Sequence, residues 1–118
     1  GKDRMMSMMP GMIKFLAVRP DRKEYILNFM PPMMDSIGLK PTPDLLVEMM
    51  PYVVSAIDDR PGLGDIVFND VMPDMLRTFG LKMDSDTMKK VMPQMMGLMA
   101  RHPGLVPAMM RAMPKLTK

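Results

Sequence analysis

An all-α fold built from repeated, proline-kinked amphipathic helices is what this 118-residue chain predicts. Three observations lead there. Met-Pro steps occur at 9/10, 30/31, 50/51, 72/73, 92/93 and 113/114, so the prolines stand 21, 20, 22, 20 and 21 residues apart, and a fixed period of that kind marks repeated structural units. The apolar residues around each proline keep one helical phase. The stretches between are punctuated by turns of two alternating types.

With each proline as origin, the fifth residue before it is apolar in every unit (Met5, Ile26, Leu46, Phe68, Met88, Met109), and so is the second residue after it (Met12, Met33, Val53, Met75, Met95, Leu116). The third residue before it is polar throughout: Ser7, Asn28, Glu48, Asp70, Lys90 and Arg111. At 100° per residue the apolar set spans roughly 160° to 300° and the polar set roughly 40° to 100° from the proline. Two halves that share one face belong to one helix, so the chain is expected to continue through each proline with a kink. An interior proline costs a helix about 3 kcal/mol through a lost hydrogen bond and a clash with the carbonyl four residues back. Packing must offset that.

The elements follow in order. An N-terminal helix is expected from about residue 5, full helices over 22–38, 43–59, 65–80 and 85–101, and a C-terminal helix from about 104. Thr42-Pro43-Asp44 and Asp84-Ser85-Asp86 are capping sequences. Basic residues at Arg19, Lys40, Arg60, Lys82 and His102 suit the negative ends of helix dipoles. Gly38-Leu39-Lys40 and Gly80-Leu81-Lys82 form one class of turn, and Arg19-Pro20-Asp21, Arg60-Pro61-Gly62 and His102-Pro103-Gly104 form the other. The super-repeat is therefore a helical hairpin of about 42 residues, similar in length alone to HEAT and armadillo units. Either a helical bundle or a short α-solenoid satisfies this pattern.

One domain is expected across residues 1–118. The pattern runs to both ends and the chain opens with GKDR, so it reads as part of a longer repeat array whose native start has been trimmed. No apolar stretch approaches the ~20 residues of a membrane-spanning helix. Charge is uneven: six basic and two acidic groups over residues 1–23, four and eleven over 24–86, and six and none over 89–118. Such an uneven surface favours association between copies or with an acidic partner.

Methionine is the compositional oddity, at 21 residues with no cysteine. At core spacing Met fills irregular space, and flexible thioethers also suit surfaces that accept varied apolar partners. The expected binding face consists of Met9, Met30, Met50, Met72, Met92 and Met113, each preceding a proline, together with Met33, Met75 and Met95. Its expected occupant is a hydrophobic protein segment, a lipid or an apolar small molecule, or a second copy in a homo-oligomer. The basic-rimmed MMSMMPGM segment adds contact with a membrane surface to these expectations. An alternative is soft-metal binding, with Met92, Met95, Met96, Met99 and His102 offering thioether and imidazole ligands to Cu(I). A third is a purely structural self-associating domain.

Catalysis has little support. The chain has one His and no Cys, and its carboxylates have capping or surface roles, so the chain is expected to be non-enzymatic. Asp84 and Asp86 begin like a calcium loop but lack its sixth-position Gly and twelfth-position Glu. Nucleic-acid binding is not expected either, because the cations are scattered and only six aromatic residues are present.

Overall fold

Thr42 shows how local chemistry starts these helices. Its hydroxyl oxygen accepts the Leu45 amide at 3.2 Å while Pro43 occupies the first helical position, where no donor is needed. Asp84 repeats the device by accepting the Thr87 amide at 2.8 Å. The structure, a computed structural model, describes residues 2–117.

Among the described residues the chain forms six helices: α1 Lys2–Val18, α2 Arg22–Ser36, α3 Pro43–Asp59, α4 over residues 64–79, α5 Ser85–Arg101 and α6 Val106–Thr117. Short 3-10 turns, Pro61–Leu63 and Pro103–Leu105, precede α4 and α6. Pro10, Pro31, Pro32, Pro51, Pro93 and Pro114 all lie inside α-helices, so those helices continue through their prolines. Three boundaries differ from expectation. α1 starts at Lys2, α2 ends at Ser36, and α6 becomes α-helical only at Val106.

The fourth helix differs in kind. It opens as an α-helix (Gly64–Ile66), widens into a π-helical stretch (Val67–Val71) and resumes as an α-helix (Met72–Phe79), with Pro73 just beyond the wide turns. Periodicity predicts a proline-kinked α-helix over 65–80 without such widening. The widened turns bury Val67, Phe68 and Val71 together.

Two turn geometries recur, and the Arg19-Pro20-Asp21 turn, expected to share the second, has no 3-10 turn after it. After α2, Gly38 adopts φ 71°, the Leu39 amide donates to the Met34 carbonyl and the Gly38 amide to that of Asp35. After α4, Gly80 adopts φ 66°, Leu81 donates to Leu76 and Gly80 to Arg77. Both are Schellman closures, which require a left-handed residue. The other geometry follows α3 and α5: Arg60 and His102 end their helices at φ −137° and −131°, and each is followed by Pro-Gly-Leu in a 3-10 turn.

The helices stack in two rows. α3 packs between α1 and α5, while α4 packs against α2 and α6 and also touches α1. Ion pairs set directions: Lys2–Glu48 and Lys14–Asp59 join α1 to α3 at both ends, and Lys90–Asp44 and Arg101–Asp58 join α5 to α3 in the same sense. The three helices of that row are therefore parallel. Arg111–Asp65 and Lys115–Asn69 make α6 parallel to α4 as well. Such exposed pairs contribute little energy each, but together they report register.

Between the rows lies the core, where Phe68, Met50, Ile57 and Leu98 are sealed from water. A satellite cluster of Leu16, Ile26, Met30 and Val71 ties α1 and α2 to α4. The radius of gyration is 13.3 Å. A compact chain of this length gives roughly 13.5 Å, so the two rows close on each other without an open superhelical void. Among the described residues no helix is long and apolar enough to cross a membrane.

Candidate functional site

The first hairpin carries the site. Residues 19–21 turn the chain between α1 and α2, and Arg22 fastens the end of α1 by donating to the carbonyls of Leu16 and Ala17 at 3.2 and 3.1 Å. A cation there suits the negative end of the helix. Arg19, expected in that role, pairs instead with Asp21 through two bonds of 2.8 Å and lies 4.8 and 4.7 Å from the ring centres of Phe15 and Tyr25. The guanidinium holds the Asp21 carboxyl below its ordinary range. Tyr25 meets Phe15 edge-on at 5.6 Å and stacks on Phe29 at 4.5 Å. Cation and rings together brace one end of the hairpin.

α1 leans on α3 and α2 leans on α4, and a groove of about 680 Å³ lies between α1 and α2, with the braced rings of Phe15, Tyr25 and Phe29 in its walls. Ser7, Met8, Gly11, Met12 and Phe15 form its α1 wall, and Tyr25, Phe29, Met30 and Met33 form its α2 wall. Gly11 faces open space, which keeps that wall low. Met8 and Phe29 are 60% and 59% exposed, and Val18, Leu27 and Ile37 add further exposed apolar surface on the same hairpin. An open groove with exposed apolar residues in its walls is an ordinary mark of an interaction site.

A narrow crevice of about 40 Å³ lies deeper, walled by Met5, Met9, Met34, Leu45, Met49 and Met75 among others, with no exposed polar surface. Met30 and Met33 line both spaces. Groove and crevice are thus separated by two flexible thioether side chains.

Of the face expected from sequence, Met30 and Met33 reach the groove and Met9 and Met75 reach the crevice. Met50, Met72 and Met95 are buried in the main core, and Met92 and Met113 are half-buried on α5 and α6. The nine residues do not form one continuous surface. The groove residues that periodicity passed over include Phe15 and Tyr25. Their positions carry mixed residue types, Phe15 standing where other units have Ser36, Ala56, Thr78 and Leu98, and Tyr25 where they have Arg4, Leu45, Val67, Thr87 and Ala108, so no shared pattern marks them.

The soft-metal set is divided between core and surface. Met95 is buried while the adjacent Met96 is 59% exposed, so the two sulfurs leave α5 in different directions. The His102 imidazole nitrogen Nε2 lies 2.8 Å from Asp58 Oδ1, beside Arg101, which donates to both Asp58 oxygens at 3.1 Å. These contacts hold the Asp58 carboxyl below its ordinary range, Arg101 contributing most. The imidazole joins the ends of α3 and α5, beyond the helix-end role expected for it. Among the described residues no group of three His, Asp or Glu side chains is placed to hold a metal ion.

Comparison with models of protein families, with curated proteins and with solved structures finds no match.

Proposed function

We propose that the chain is a non-enzymatic binding module, a short stack of three helical hairpins whose α1–α2 groove takes up an apolar partner segment or ligand. Exposure of Met8 and Phe29 in the walls of one open groove is the observation that carries this reading. The stacked-hairpin description, with its kinked helices and period of about 42, draws support from the parallel rows. It also draws support from turn geometry that recurs at Gly38 and Gly80 and again at Arg60 and His102, 42 residues apart in each case. Stacked hairpins bury an apolar face between neighbours, and an end unit has no neighbour on one side.

Nile red, a neutral dye that fluoresces in apolar surroundings, tests the groove. Titration should show saturable binding, and Phe29→Glu should weaken it roughly tenfold by removing an aromatic contact surface. Because Phe29 is largely exposed, the variant should keep its helical circular dichroism. Absence of saturable binding, or equal binding by the variant, refutes the groove reading. Self-association through the end hairpins is a second reading, favoured by the exposure of Met96 and Met110 at the far end. Sedimentation at two concentrations reads it directly.

A further inference from the structure

The methionines fall into sharply different environments. Met8, Met96 and Met110 are open to water, the last 63% exposed, whereas Met9, Met50, Met95 and Met109 are no more than 1% exposed. Thioether oxidation follows access to the sulfur, so the open three form a distinct reactive class. Only Met8 of these lies in the groove wall; Met96 and Met110 sit on α5 and α6.

We propose that Met8 is a reversible oxidation site for peroxides, and that its sulfoxide closes the α1–α2 groove to apolar ligands. The sulfur lone pair attacks one peroxide oxygen; an S–O bond forms as the O–O bond breaks, sulfur loses two electrons, and the second oxygen leaves with a proton as water or an alcohol. The product replaces an apolar wall by a strong hydrogen-bond acceptor. With the groove empty that oxygen stays hydrated and the fold is undisturbed. An apolar ligand would strip its water without replacing the hydrogen bond, which opposes binding. Met9 is the next residue along the chain, yet it is enclosed between the rows and reacts only when the helix opens locally.

Closure rests on the groove reading, whereas the order of oxidation does not. Native protein treated with limiting hydrogen peroxide, then digested and mapped by mass spectrometry, should show sulfoxide at Met8, Met96 and Met110 forming at least roughly tenfold faster than at Met9 or Met50. Nile red affinity should fall severalfold in step with Met8 sulfoxide, with circular dichroism unchanged, and return on treatment with methionine sulfoxide reductases. A Met96→Leu/Met110→Leu double variant should lose affinity on oxidation as the parent does. Met8→Leu, compared with its own untreated state, should not respond.

Oxidation that ignores exposure, or that reaches Met9 as fast as Met8, overturns the assignment of the site. Oxidised Met8 with unchanged dye affinity, or a peroxide response that survives in Met8→Leu, overturns closure. If untreated protein takes up no Nile red, the groove reading fails and closure fails with it, while the mass map still decides the order of oxidation.

Discussion

Alanine substitutions at four glycines separate the two turn geometries by sign. Gly38 and Gly80 have φ values of 71° and 66°, and a Cβ at either would meet nothing within 4 Å, so the cost of alanine there is backbone strain alone. Holding an L-residue in that region costs about 1–2 kcal/mol, while the loss of glycine freedom in the unfolded chain returns about 0.4–1 kcal/mol. The net expectation is a loss of about 1 kcal/mol at each. Gly62 and Gly104 also face open space but have ordinary φ, so alanine should be neutral or stabilise by about 0.4–1 kcal/mol through the unfolded state. Urea denaturation at constant m-value measures each difference, and thermal midpoints should move by about 3–5 °C per kcal/mol for a chain of this size. Equal effects at all four positions would refute the distinction between Schellman closures and Pro-Gly turns.

Further outcomes follow from burial and charge. Met50→Ala should cost about 2–5 kcal/mol because it empties a fully enclosed site, whereas Met110→Ala should stay within about 0.5 kcal/mol; thermal denaturation that ranks them equally contradicts the core described above. Asp58, held below the ordinary carboxylate range, stabilises the fold above about pH 5 and loses that effect as pH falls through its folded value. The half-exposed pairing is worth less than about 1 kcal/mol, so the small deficit of Asp58→Asn at pH 7 should vanish near about pH 2, and a deficit constant across that range would exclude the mechanism. His102→Arg keeps an N–H group opposite Asp58 and should leave stability within about 0.5 kcal/mol. A Cu(I) titration of both proteins under reducing conditions then separates pairing from ligation, since uptake lost only in the variant would assign the imidazole to a metal.

Much of the helical layout was legible because local rules dominate it. Thr42-Pro43 and Asp84 announce helix starts by hydrogen-bond chemistry that acts within three residues, and Gly38 and Gly80 announce stops because few other residues adopt their φ. Periodicity also identifies the apolar face of each helix. It does not reveal what covers that face, which depends on neighbours distant in sequence. Met50 and Met92 occupy the same place in the Met-Pro pattern, yet Met50 is fully buried in the main core and Met92 only half-buried. The groove stayed hidden because it arises where α1 and α2 lean on different partners, a tertiary event. Arg22 displaced Arg19 at the end of α1 for a similar reason: the aromatic pair Phe15 and Tyr25 offers Arg19 a competing seat.

The wide turns of Val67–Val71 bear on how the chain tolerates a change of length. Pro20 to Pro31 and Pro103 to Pro114 are each 11 residues apart, whereas Pro61 to Pro73 is 12. One surplus residue in a regular helix would swing everything after it through about 100°, turning the buried Met72 and Leu76 toward water. A π-helical turn takes up a single residue and returns the helix to its former bearing. The Val67–Val71 stretch thus holds the equivalent of one surplus residue that the α4 backbone absorbs, and Met72 and Leu76 beyond it stay buried.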